Sequence, residues 1–156
     1  MAVTPLTTSE LDAVNALLQA GRLDTVPVDA RRAAAFISRA EDRLGQLALL
    51  TSDPVKYDLA YDAAHDVGEA LLAAHGLRTS NRPGQHEALG RFLRAVLSTP
   101  PGETAARRFD QLRRSRNQSH YEAAPIGAAA AGQAETVARE LYAAAVARGV
   151  VSHPNA

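Results

Sequence analysis

The residues best suited to chemistry lie together in one ten-residue stretch, RRSRNQSHYE, at positions 113–122. It holds three arginines, an asparagine, a histidine and a tyrosine, although the chain has only 5 histidines and 4 tyrosines. A guanidinium can bind a phosphate through two hydrogen bonds, and an imidazole can transfer protons near neutral pH. The stretch therefore indicates either chemistry on a phosphate ester or a charged helix end that faces water.

A helix over residues 103–123 would place Arg116 and His120 one turn apart. With about 100° between successive residues, Arg116 falls on the same line as four apolar side chains, and Arg113, Asn117 and His120 fall beside it. The apolar side chains of this line are Ala105, Phe109, Leu112 and Ala123. Because polar groups on an inward face need partners, Arg116 and His120 are predicted to border a cleft or an interface.

The same predicted helix carries the strongest local positive charge in the chain. Five arginines lie between residues 107 and 116, against one acid, Asp110. If the helix meets a nucleic acid, its backbone contacts are predicted to come from four of them. These four candidates for nucleic-acid binding are Arg107, Arg108, Arg113 and Arg114.

Composition limits the classes of function that these residues could serve. The 17 basic and 17 acidic residues balance, so attraction to a polyanion must be local. Cysteine is absent, which excludes disulfides, thiol catalysis and cysteine-ligated metals. The chain contains no nucleotide-binding glycine loop, no nucleophile elbow and no zinc-protease spacing, so no metal and no cofactor are predicted.

Membrane association is not expected from this sequence. The first residues, MAVTPLTTSELDA, do not resemble a signal peptide, and no apolar run approaches the roughly 20 residues that span a bilayer. The sequence therefore predicts a cytoplasmic protein.

The elements that must position these residues are predicted to be helices. Ala, Leu, Arg, Glu and Gln dominate, and proline and glycine separate the periodic segments. This pattern predicts an all-α bundle of five to six mostly antiparallel helices in a single domain over residues 1–156, with no strand pair joined by a hairpin turn. The predicted helices are a short one at 9–20, then 30–50 capped by Asp29, 53–75 capped by Asp53, 85–98, 103–123 and 128–148, with a loop at 77–84 and a frayed tail at 150–156.

The combination of a helical bundle with a late arginine–histidine helix resembles the HEPN superfamily. The signature of that family is an arginine followed by four to six residues and a histidine, often beginning Arg-Asn. Here the segment reads Arg116-Asn117-Gln118-Ser119-His120-Tyr121, and the stretch YDLAYDAAHDVGEALLAAHGLR at 57–78 resembles a long helix of small prokaryotic HEPN proteins. The resemblance covers about residues 30–148.

The spacing of this motif leaves two assignments open. Counted from Arg116, His120 comes one residue early, whereas counted from Arg114 or Arg113 it fits the family spacing. Either Arg116 and His120 form a shortened motif, or Tyr121 occupies the family's histidine position and the fold persists without the reaction. A tyrosine is a poor base near neutral pH because its ordinary pKa is about 10.

The resemblance implies metal-independent cleavage of RNA in a cleft formed by a homodimer, within a toxin–antitoxin or defence module. In this assignment His120 transfers protons, Arg116 stabilises the phosphoryl group, and Asn117 orients the substrate. Partners would be RNA, a second copy of the chain and an antitoxin protein. The alternative is a catalytically inactive HEPN-like module, with Tyr121 at the histidine position, that binds a protein or a small ligand.

Other polar residues are interpreted as structural. His65 is expected to be a core or half-exposed histidine near Tyr61, and His75 and His86 are left without an assigned role. An acidic ridge repeats at three- and four-residue spacing along the third predicted helix and is expected to face solvent. The ridge consists of Asp58, Asp62, Asp66 and Glu69.

Overall fold

Residues 2–152 fold as a six-helix bundle with one small sheet, which confirms the predicted all-α class. The computed structural model describes residues 2–152. In chain order, the elements are α1 (Thr8–Gln19), β1 (Leu23–Thr25), α2 (Ala30–Leu47), α3 (Asp53–Ala74), β2 (Leu77–Thr79), α4 (Gln85–Val96), α5 (Glu103–Glu122) and α6 (Ala128–Ala147).

Helix α3 is the central element of the bundle. Of its 22 residues, 13 are buried, and it packs against α2, α4, α5 and α6. Such all-round burial is typical of a helix whose small apolar residues let its neighbours approach on every side. At Gly68, for example, a Cβ atom would lie 2.8 Å from a methyl carbon of Leu89 on α4. The helix is therefore positioned to present side chains to several partners.

Side chains cap the starts of α1 and α2, whereas α3 to α6 have no side-chain cap hydrogen bond within residues 2–152. Asp29 caps α2 as expected, since its carboxylate accepts from the Arg32 amide at 2.9 Å. At α1 the cap is Thr7, whose hydroxyl and the Glu10 carboxylate form a capping box. The prediction that Asp53 caps α3 is wrong, because Ser52 holds that position and Asp53 is already helical.

The two three-residue strands were not predicted. β1 and β2 pair antiparallel, with Asp24 opposite Arg78, and their side chains lie 3.5 Å apart. This pairing joins the α1–α2 connection to the α3–α4 connection, so part of the stretch predicted as a loop at 77–84 is ordered by a partner far away in sequence. Helices α2 and α3 separate the two strands in the chain, so the pair contains no hairpin turn and is not the kind of strand pair that the sequence excluded.

The last described residues pack against the bundle. Val150 is buried against the core at 2 % exposure, and the part of the predicted tail from residue 153 onward lies outside the described residues. Within residues 2–152, none of the helices combines the length and the apolar character that crossing a bilayer requires.

Helix α5 is fixed on α3 along its first half. Ala105, Phe109 and Leu112 are buried, as predicted, and the Tyr57 hydroxyl on α3 donates to the Leu112 carbonyl at 2.7 Å. Beyond Leu112 the helix becomes more exposed, and Ala123, predicted to face inward, is exposed and ends the helix in a left-handed conformation with φ 53°. The arginine–histidine segment therefore lies where α5 emerges from the core.

Candidate functional site

Helices α3 and α5 bring Arg116 and His120 to one carboxylate. The Oδ1 atom of Asp58 lies 3.8 Å from Nε of Arg116 and 3.4 Å from Nε2 of His120. The structure thus confirms that the two side chains lie on a common face, and it adds an aspartate that sequence reasoning assigned to solvent. A carboxylate beside an imidazole orients the ring and stabilises its protonated form.

The guanidinium of Arg116 is held at the edge of the core. Its central carbon lies 4.9 Å from the centre of the Tyr61 ring, and one terminal nitrogen lies 3.9 Å from the Asp62 carboxylate. The side chain is 28 % exposed, and Nε is buried without a hydrogen-bond partner within residues 2–152. At 3.8 and 3.9 Å the two carboxylates attract the charge without forming hydrogen bonds, so donors of Arg116 remain unsatisfied.

His120 is accessible from solvent, because half of its side chain is exposed. If Nε2 carries the proton that faces Asp58, Nδ1 is left as an acceptor. Asn117 is exposed on the adjacent turn, and its side chain makes no hydrogen bond within residues 2–152. Tyr121 is 87 % exposed, so it lies outside the group formed by Arg116, His120 and Asp58.

A cluster of aromatic rings lies beneath Arg116. The Tyr61 hydroxyl and Nδ1 of His86, from the start of α4, are 2.7 Å apart, and the His65 ring centre lies 4.6 Å from that of His86. Burial, followed by the charges of His86, Arg39 and Arg116, lowers the pKa of His65 to about 4. Desolvation, then the charges of Arg116 and Arg113, lowers the pKa of His86. Both rings therefore favour the neutral form beside the guanidinium.

Comparisons with known protein families, curated proteins and solved structures find no match to this chain. The HEPN interpretation therefore depends on the motif at residues 116–121 and on the helical fold. RNA, an antitoxin and a homodimer remain predictions.

The four arginines predicted to bind nucleic acid separate into two groups. Arg113 and Arg114 lie within one turn before Arg116, and both reach the Asp110 carboxylate at 2.9 Å. Arg107 pairs with Glu103 at 3.6 Å, and Arg108 lines a cavity of about 380 Å³ at the start of α5. Because Arg107 lies nine residues before Arg116, about 13 Å along the helix, only the first group adjoins the candidate site.

The acidic ridge of α3 is not the solvated face that its spacing suggested. Asp66 is 1 % exposed and accepts three hydrogen bonds, two from Arg39 at 2.6 and 3.0 Å and one from Arg43 at 2.6 Å. Asp58 and Asp62 face α5 instead. Within the described residues, no group of three or more histidine and acidic side chains is placed to hold a metal ion.

Sequence reasoning missed Asp58, Tyr61 and His86 as neighbours of the motif. A general signal was present, since α3 carries acids and α5 carries arginines. Opposite charges on two helices of one bundle favour contact between those faces. His86 carried no comparable signal, because it reaches Tyr61 only through the packing of α4 on α3.

Proposed function

We propose that this protein acts on RNA as a metal-independent endoribonuclease, with Arg116, His120 and Asp58 as its catalytic group. One observation carries the proposal: His120 and Arg116 converge on a single carboxylate at a partly exposed surface, 3.4 and 3.8 Å from it. This arrangement combines an imidazole that can transfer protons, a carboxylate that orients it and a guanidinium that can bind a phosphate. The motif's likeness to the HEPN signature supports RNA as the substrate.

The proposed reaction uses the ribose 2′-hydroxyl as its nucleophile. The His120 imidazole takes the hydroxyl proton while the 2′ oxygen forms a bond to the adjacent phosphorus. The bond from phosphorus to the 5′ oxygen breaks, leaving a 2′,3′-cyclic phosphate, and His120 returns the proton to the leaving oxygen. Asp58 stabilises the imidazolium formed in between, since a carboxylate lowers the free energy of a neighbouring cation.

Arg116 has the geometry required to stabilise the phosphoryl group in this reaction. Because no carboxylate is within hydrogen-bond distance, its terminal nitrogens can donate to a phosphate that enters beside it. The Tyr61 ring supports the other side of the guanidinium at 4.9 Å. A homodimer would place two such groups in one cleft, as the resemblance implies, and an antitoxin would bind over it.

The test is incubation of the purified protein with single-stranded RNA in the presence of a chelator. His120→Ala is expected to reduce the cleavage rate by about 10²-fold or more, the usual contribution of a general acid–base. Arg116→Ala is expected to reduce it comparably, and thermal unfolding monitors its fold. Arg78→Ala, which removes a 59 % exposed arginine on β2, is the matched control and should leave cleavage unchanged. RNA that stays intact with the wild-type protein would overturn the proposal.

A second function is favoured by the charges around Arg116. Asp58 and Asp62 both lie within 4 Å of its guanidinium and largely neutralise it, and Tyr121 projects into solvent. These features suit a catalytically inactive module that binds a protein through the exposed end of α5. Intact RNA, together with a complex that Tyr121→Ala abolishes, would support this alternative.

A further inference from the structure

A groove between α4 and α5 adjoins the candidate site. It encloses about 210 Å³, and Gly90 forms part of its wall. A Cβ atom at Gly90 would lie 3.4 Å from the Phe109 ring and 3.9 Å from the Asp110 Cβ, so the missing side chain keeps the two helices close. The other side chains that line the groove are Glu87, Arg91, Arg94, Asp110, Arg113 and Arg114.

The groove carries an excess of positive charge. Its lining has four arginines and two carboxylates. Asp110 engages both arginines of α5 through their Nε atoms, which leaves their terminal nitrogens outside those two contacts. On α4, Arg91 pairs with Glu87 at 2.9 Å, whereas Arg94 makes no ion pair within residues 2–152. A concave surface whose guanidinium donors are not all engaged by carboxylates attracts phosphate groups.

The groove and the site that contains Arg116 share helix α5. Arg113 precedes Arg116 by three residues, which corresponds to about 4.5 Å along α5. Both arginines act electrostatically on His86, the residue of α4 that reaches Tyr61. Arg113 thus belongs both to the lining of the groove and to the charged surroundings of the site.

We infer that the phosphodiester backbone of single-stranded RNA runs through the α4–α5 groove, bound by Arg91 and Arg94 of α4 together with Arg113 and Arg114 of α5. The inference rests on the proposed function for the class of its ligand, single-stranded RNA. It assigns binding to two arginines outside the motif, on a helix that the sequence motif does not include. A backbone contact of this kind carries no base specificity.

The experiment measures RNA binding in a background that cannot cut. A fluorescein-labelled single-stranded RNA is titrated with the His120→Ala protein in chelator, and its anisotropy is followed over a series of salt concentrations. Adding Arg91→Ala and Arg94→Ala is expected to raise Kd about tenfold or more at low salt. The slope of log K against log salt should fall by about 1.4, since each neutralised phosphate of a single strand contributes about 0.7.

The control removes the same charge elsewhere. Arg31→Ala with Arg78→Ala, on the exposed surfaces of α2 and β2, should leave Kd and the salt slope unchanged. Arg91→Lys with Arg94→Lys should restore most of the slope, because a lysine still neutralises a phosphate. Circular dichroism checks that all variants fold.

The outcomes separate the two proposals. If the variant with Arg91→Ala and Arg94→Ala binds RNA like the control while the wild-type protein cleaves RNA, binding in the groove is overturned and the proposed function stands. If wild-type protein leaves RNA intact but binding depends on Arg91 and Arg94, cleavage is overturned and the groove stands. If the His120→Ala protein binds no RNA, the groove is overturned, and the cleavage assay of the wild-type protein alone decides the proposed function.

Discussion

The carboxylate of Asp58 lies between the imidazole of His120 and the guanidinium of Arg116, at 3.4 Å from one and 3.8 Å from the other. All three side chains are partly exposed, and the contact joins residues of α3 and α5 that are at least 58 positions apart in the sequence. Asp58 thus connects the two groups that the sequence motif proposes for catalysis.

Asp58→Asn is expected to slow RNA cleavage about tenfold, because the amide cannot stabilise the imidazolium as a carboxylate does. The measurement is the single-turnover rate in chelator. Asp42→Asn, at an exposed position of α2, provides the matched control and should cleave at the wild-type rate. If the Asp58→Asn protein cleaves RNA as fast as the control, the Asp58 carboxylate has no part in cleavage and is only a surface charge.

Substitutions of Tyr61 should separate its ring from its hydroxyl. Tyr61→Phe keeps the ring face that lies 4.9 Å from Arg116 and loses only the hydrogen bond with His86, so cleavage should stay close to the wild-type rate. Tyr61→Leu removes the ring and should slow cleavage about fivefold, as expected for a lost cation–π contact of about 1 kcal/mol.

The control for this pair is Tyr57→Phe, which removes an equally short hydrogen bond, 2.7 Å to the Leu112 carbonyl, but leaves the Tyr61 ring in place. Urea denaturation of each variant reports its loss of stability. Equal rates for Tyr61→Phe and Tyr61→Leu would mean that the ring does not position Arg116.

Much of the helical fold follows from local signals, whereas the site does not. Apolar periodicity and the residues that interrupt it placed α4, α5 and α6 close to their observed ends. The strands β1 and β2 are three residues each and pair across more than 50 residues, so no local pattern indicates them. Short pairs of this kind form because helices on either side fix their ends.

The acidic ridge illustrates the same limit within the site. Spacing placed Asp58, Asp62 and Asp66 on one side of α3, but spacing alone cannot tell which neighbour covers that side. In the structure α2 supplies arginines to Asp66, and α5 supplies Arg116 to the other two. The partner of each carboxylate is set by the tertiary packing of the bundle.

Acidification should destabilise the fold through His65, whose folded pKa is lowered to about 4 by burial and by nearby cations. The unfolded chain takes up a proton near pH 6.5, so this contribution is complete above that pH and is lost as pH falls toward 4. Between pH 7 and pH 5, the free energy of unfolding should fall by about 2 kcal/mol from His65 alone. Urea denaturation at both pH values measures it.

His65→Gln should reduce this pH dependence by about the same amount. The comparison is needed because other groups titrate nearby: His75 and His86 also have a lowered pKa and add to the effect, whereas burial raises the pKa of Glu69 and acts in the opposite direction. Identical pH dependence in the wild-type and His65→Gln proteins would place the His65 ring in contact with water.

Asp66→Asn should lower the free energy of unfolding more than the same substitution at any exposed acid of α2 or α3. Asp66 is 1 % exposed, and its two oxygens accept from Arg39 and Arg43. An asparagine keeps the shape but directs an NH₂ group at the guanidinium of Arg39 or Arg43. That guanidinium then loses its hydrogen-bond acceptor. The expected cost is about 2–3 kcal/mol, below that of a fully buried pair because both arginines are partly exposed.

In urea, the midpoint should fall with an unchanged m value, and Asp42→Asn should not shift it. If both substitutions shift the midpoint equally, the Asp66 pairs contribute no more than a surface charge, and the α2–α3 contact depends on its apolar side chains alone.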